Sequence, residues 1–147
     1  AGLKDHEWGV VGEFNGWDVD NYVVTVVEGD WAVAKNVTLE AGAEFKFAAD
    51  KAWTLSYGTG GEVNVGEKYT TYNNGSNMKF VGEDGAYNLY FSLVDASFYM
   101  EKYIAEVTVE KSLSALGLPN GTVVKNPVVM DENVTVTFAI PIFVLFL

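Results

Sequence analysis

Apolar and polar residues alternate along several stretches of this chain, and that period of two is what most restricts its fold. The alternation runs through residues 31–39, 44–48 and 87–93. Turn-forming pairs such as Asn15-Gly16 and Ala41-Gly42 separate the stretches. Successive side chains of a β-strand point to opposite faces, so each stretch is predicted to be a strand with one buried face. Short strands divided by frequent turns favour an all-β fold, an antiparallel immunoglobulin-like β-sandwich.

Composition narrows the partners that the chain can have. Its 147 residues, 49% of them hydrophobic, are enough for one domain, or one domain plus an appendage. The formal net charge is −11, and all nine cationic residues are lysines. Nucleic acid requires a basic face that neutralises phosphate, so we expect no nucleic-acid partner. A neutral ligand is indifferent to this charge.

Residues suited to catalysis are scarce. The chain has no cysteine and a single histidine, His6, which excludes thiol chemistry and argues against nucleophilic triads and zinc sites. The 20 acidic residues form no recognisable pair of the kind that a glycoside hydrolase needs. We therefore predict no catalytic residues, no metal and no cofactor, and expect that the protein is not an enzyme.

Four tryptophans and one strand lysine are the candidate functional residues. Trp8 and Trp31 lie within strand-like alternation and are predicted to be core residues. Trp17 and Trp53 lie at turn-rich positions, where a large ring would be exposed. Lys46 stands between two phenylalanines, and if both point inward it points outward. Exposed indoles beside a lysine suit a sugar-binding surface, because an indole covers the apolar face of a sugar ring and an ammonium donates to its hydroxyls.

The motifs around these residues resemble a known family. They read Val-Gly-Glu-Phe-Asn-Gly-Trp at residues 11–17 and Ala-Gly-Ala-Glu-Phe-Lys-Phe at 41–47, followed by Trp53. The chain from about residue 8 to residue 104 thus resembles the SusE/SusF-type starch-binding modules of gut-bacterial outer-membrane lipoproteins. The starch-binding domains of glucoamylases have a similar arrangement. The resemblance implies non-catalytic binding of a neutral polysaccharide, a starch-like α-glucan, at a bacterial cell surface, with Trp17, Lys46 and Trp53 as contacts.

Two positions depart from the family pattern. Ala48 stands where the family often has arginine, and Ser56 stands near a frequent asparagine. Arginine offers a planar fork of donors that alanine cannot replace. Lys51, Tyr57 and Tyr72 are the candidate substitutes for the missing ligand contacts.

The tail lies outside the resemblance, so we divide the chain into a module of residues 1–104 and a C-terminal β extension of residues 105–147. A helical turn is predicted from Ser112 to Leu116. The apolar stretch from Phe138 to Leu147 is too short for a transmembrane helix. It is predicted to pack as a strand within the same domain or to begin a further one. Alternatively, it is a donor strand that completes a neighbouring subunit's sheet, which would make the protein a structural subunit of a self-assembling extracellular fibre, a homo-polymer.

Overall fold

The computed structural model describes residues 2–108, 111–112, 123–124 and 127–130, and it divides the chain into two units. The first unit, Ala1–Tyr103, contains two β-sheets. The first sheet has the strand order β2-β1-β5-β10-β7, and β6 and β9 continue it beside β5. Its strands are β1 (Trp8–Gly12), β2 (Val23–Val24), β5 (Glu44–Ala49), β6 (Ser56–Gly58), β7 (Glu62–Val63), β9 (Tyr72–Asn73) and β10 (Met78–Phe80).

The second sheet has the order β3-β4-β11-β12-β8. Its strands are β3 (Val26–Glu28), β4 (Trp31–Leu39), β8 (Tyr69–Thr70), β11 (Gly85–Ser92) and β12 (Ser97–Lys102). All strand pairs in the two sheets are antiparallel except β7 with β10. In the described part of this unit, one short 3-10 helix precedes β1 and two lie between β1 and β2; they span Leu3–Asp5, Glu13–Asn15 and Val19–Asn21. The predicted all-β sandwich is therefore confirmed.

Aromatic rings from both sheets contact one another in the core between the sheets. Phe91 of the second sheet is fully buried, and its ring lies 4.6 Å from Trp8 and 4.9 Å from Phe47, both of the first sheet. Tyr57 adds an edge-on contact to Phe91 at 5.5 Å. Such offset and edge-to-face arrangements are favourable for aromatic pairs. The prediction that Trp8 is a core residue is confirmed.

The prediction that Trp31 is a core residue is wrong. On β4, Ala32 and Ala34 face the core, so Trp31 lies on the outer face of the second sheet, half-buried against Tyr99 at 5.0 Å. The alternation reverses beyond Ala34 because two residues of β4 oppose one residue of β11. This β-bulge is held by the backbone N–H of Asn36, which donates to Asn88 Oδ1 at 3.0 Å.

The second unit, Ile104–Leu147, is described only in part. It contains two antiparallel ladders, one between Ala105–Thr108 and Pro127–Met130 and one between Lys111–Ser112 and Val123–Val124. Ser112, predicted to begin a helix, thus belongs to a strand; the rest of that predicted helix and the apolar stretch from residue 138 lie outside the described residues. In the part that is described, no helix is long and apolar enough to cross a membrane.

Candidate functional site

The predicted site residues fall mainly on the outer face of the first sheet. Strand register pairs Val11 of β1 with Lys46 of β5, and Ala48 of β5 with Ser56 of β6. The phenylalanines on either side of Lys46 belong to the core cluster, so these four residues lie on the opposite face of the sheet. All four are nevertheless buried, because loops cover this face.

One covering loop carries Trp17. Its asparagine, Asn15, accepts from the backbone N–H of Gly12 at 3.1 Å and donates to the carbonyl of Asp18 at 3.0 Å, which ties the loop together. Gly16 and Trp17 then adopt left-handed backbone conformations, with φ of 66° and 60°. A positive φ is uncommon for a bulky residue, and strain of this kind persists where the surroundings impose it. The Phe-Asn-Gly-Trp motif therefore fixes the direction of the Trp17 side chain.

The turn after β5 carries Trp53. Asp50 and Lys51 both have positive φ, 56° and 52°. The carboxylate of Asp50 accepts from the backbone N–H of Glu7 at 3.0 Å and lies 2.6 Å from Nδ1 of His6. Hydrogen bonds from His6 and from the Glu7 backbone hold the pKa of Asp50 below its usual value. The segment before β1 thus anchors the turn from which Trp53 projects.

These two loops bring Trp17 and Trp53 together as an indole pair. Their ring centroids are 6.3 Å apart, and the ring planes are tilted by 41°. Trp53 is 45% exposed, and Trp17 is half-buried against Val11, Ala48 and Tyr22. The indole pair therefore offers aromatic surface to solvent while one of its rings is supported from below.

Lys46 lies on this face as predicted, but it is covered rather than fully exposed. Only 9% of its surface is accessible, and Nζ donates to Ser56 Oγ at 3.1 Å. None of the ion pairs among the described residues includes Lys46. Burial lowers the pKa of the Lys46 ammonium. A cation held in this way keeps further N–H donors for a ligand, since an ammonium has three.

The three candidate substitutes have different positions. Tyr57 packs against the core, 5.4 Å from the Trp8 ring, because it alternates with the outward-facing Ser56. The structure therefore does not bring Tyr57 to the indole pair. Lys51 is exposed in the turn that precedes Trp53. Tyr72 is 59% exposed and pairs with Gly58, which puts it on the same side of the first sheet as Ser56.

Sequence reasoning missed two features behind the site, namely Tyr22 and the His6–Asp50 pair. Tyr22 is only 4% exposed and packs with Val11 and Ala48 under the indole pair. His6 and Asp50 are 44 positions apart, so no local spacing reveals their contact. The one usable signal for Tyr22 was Gly9 in the middle of a strand, because a strand glycine often marks a close approach of another group.

Two comparisons with known proteins found no match for this chain. No protein-family model matches the chain, and no curated protein matches it either. Among the residues described, no group of three or more His, Asp or Glu side chains is placed to hold a metal ion. The resemblance to starch-binding modules consequently rests on the motif residues alone.

Proposed function

We propose that this protein is a non-catalytic carbohydrate-binding module that holds starch-like α-glucan at a bacterial cell surface. The observation that carries the proposal is the indole pair, two tryptophans from separate loops that meet on one solvent-facing surface. The cellular location and the glucan itself come from the resemblance to outer-membrane starch-binding modules.

The tilt between the rings favours a helical glucan. Neighbouring glucose units of such a chain are angled to one another, so two rings tilted by 41° suit two successive sugars better than coplanar rings would. Each stacked sugar contributes about 1–2 kcal/mol through apolar burial and aromatic contact. Two stacks and a few hydrogen bonds correspond to dissociation constants from about micromolar to millimolar.

Lys46 supplies the polar part of the proposed site. Its ammonium is positioned by Ser56, and its remaining N–H groups donate to sugar hydroxyls. With Ala48 in place of an arginine, Lys46 is the main fixed donor, and the exposed side chains of Lys51 and Tyr72 contribute from the rim. Tyr57 does not contact the ligand in this proposal, because its ring packs against the core.

Trp53→Ala tests the proposal. We expect it to reduce the affinity for amylopectin about 5- to 30-fold, which corresponds to the loss of one stacked ring. Retardation of the purified protein in an affinity gel that contains amylopectin measures the change. Trp31→Ala is the matched control, since it removes an indole from the outer face of the other sheet.

The expected pattern is a retarded wild type, a Trp53→Ala variant that is clearly less retarded, and a Trp31→Ala variant that is retarded like the wild type. A wild-type protein that migrates freely in the amylopectin gel contradicts glucan binding outright. A Trp53→Ala variant that is retarded as strongly as the wild type contradicts the assignment of the surface.

A further inference from the structure

Tyr22 lies in the buried cluster on the outer face of the first sheet against which Trp17 packs. Its ring lies flat against the backbone of Gly9, where a Cβ would approach the ring atoms to 2.4 Å. Glycine at this position is therefore what allows the ring to lie there. Only 4% of Tyr22 is exposed.

The Tyr22 ring also explains the alanine at position 48. Ala48 pairs with Gly9 across the sheet, and Ala48, Val11 and Tyr22 form one buried cluster against which Trp17 packs. Ala48 is completely buried, so an arginine there would displace the Tyr22 ring. The small side chain of Ala48 thus leaves room for an aromatic support under Trp17.

The other end of Tyr22 reaches the turn that carries Trp53. Its hydroxyl lies 3.1 Å from Glu7 Oε1, to which it donates. Glu7 in turn holds Asp50 of that turn, because its carbonyl accepts from the backbone N–H of Asp50 at 2.7 Å and its own N–H donates to Asp50 Oδ1 at 3.0 Å. Burial, and then the Glu7 carboxylate, raise the pKa of Tyr22 to about 12, so the phenol stays protonated and remains a donor at neutral pH. Asp50 is three residues before Trp53.

We propose that Tyr22 is a positioning residue that sets the distance and tilt between Trp17 and Trp53. Its ring supports the first indole, and its hydroxyl holds Glu7, which is hydrogen-bonded to Asp50 of the turn that presents the second. The consequence for sugar affinity rests on the proposed function, whereas the geometric role does not. Tyr22 itself is buried beneath the pair and is not assigned a ligand contact.

Tyr22→Phe separates these roles because it keeps the ring and removes only the hydroxyl. Two indoles 6.3 Å apart couple their electronic transitions, so the wild type is expected to give a far-ultraviolet exciton couplet in circular dichroism that Trp53→Ala abolishes. We expect Tyr22→Phe to lose much of this couplet and to bind amylopectin about three- to tenfold more weakly. Gly9→Ala should reduce the couplet as well, because the added methyl group would displace the Tyr22 ring from its place against the Gly9 backbone.

Tyr69→Phe is the matched control. The Tyr69 hydroxyl likewise donates to a carboxylate, that of Glu67 at 2.9 Å, and it also accepts from the backbone N–H of Asn64 at 2.8 Å. This variant should keep both the couplet and the affinity of the wild type. A Tyr22→Phe protein with an unchanged couplet overturns the proposal. A reduced couplet in a protein whose wild type does not bind amylopectin upholds the positioning role and contradicts only the function.

Discussion

Replacing Lys46 with methionine is expected to weaken amylopectin binding about 10- to 100-fold while leaving the protein at least as stable as the wild type. The loss in affinity reflects a charged hydrogen bond to the ligand. Stability is maintained because Lys46 is only 9% exposed and is not part of an ion pair among the described residues. A buried charge carries a desolvation cost that an unbranched apolar side chain of similar length avoids. Affinity gels and urea denaturation measure the two effects.

Lys79→Met is the control for this variant. It removes the same charge from an exposed position on β10 of the same sheet, so it should alter neither quantity much. A Lys46→Met protein that binds amylopectin like the wild type would remove Lys46 from the site. A Lys46→Met protein that is clearly less stable would mean that the ammonium supports the fold.

The difference in stability between the wild type and the Lys46→Met variant depends on pH. Burial lowers the pKa of Lys46 from its ordinary value of 10.5, so the unfolded chain binds this proton more tightly than the folded one. The cost of the charge is therefore fully present at neutral pH and disappears as the pH rises toward 10.5. We expect the wild type to gain stability relative to Lys46→Met over that rise, as measured by denaturation at several pH values.

Phe91→Ala should lower the free energy of unfolding by about 3–5 kcal/mol, a large share of the 5–15 kcal/mol typical of a domain. Phe91 is fully buried and contacts Trp8, Phe47 and Tyr57, so its removal leaves a cavity in the contact between the two sheets. Chemical denaturation followed by tryptophan fluorescence measures the loss.

Val94→Ala serves as the comparison for Phe91→Ala. Val94 is 66% exposed, and its truncation should change stability by less than about 0.5 kcal/mol. If Phe91→Ala cost no more than that, the aromatic cluster would not be the main support of the sandwich.

Local alternation was enough to predict the main strands. The stretches at residues 31–39, 44–48 and 87–93 correspond to Trp31–Leu39, Glu44–Ala49 and Gly85–Ser92 in the structure. The period of two is a local property of a strand, which is why it can be read from one sequence. The immunoglobulin-like style of the sandwich stays a prediction, since it depends on strand connections that alternation does not encode.

The site was predictable only where local geometry determines it. Turn chemistry indicated that Trp17 and Trp53 project from loops, and the flanking phenylalanines indicated the face of Lys46. The burial of Lys46 and the inward direction of Tyr57 depend on how β5 and β6 pair and on which loops cover them. The role of Tyr22 could not be predicted because its contacts with Glu7 and Ala48 join segments that are remote in sequence.

The β-bulge in β4 is one residue longer than the pairing with β11 requires. Lys35 and Asn36 are both exposed, and Asn36 has a φ of 57°, a left-handed conformation that asparagine and glycine adopt more readily than other residues. Deleting one of them would leave a single residue between Ala34 and Val37, opposite Asn88, so the bulge would disappear while Val37 and Leu39 still faced the core. A variant that lacks one of these two residues should therefore keep the inward face of β4 and pair with β11 as a regular strand.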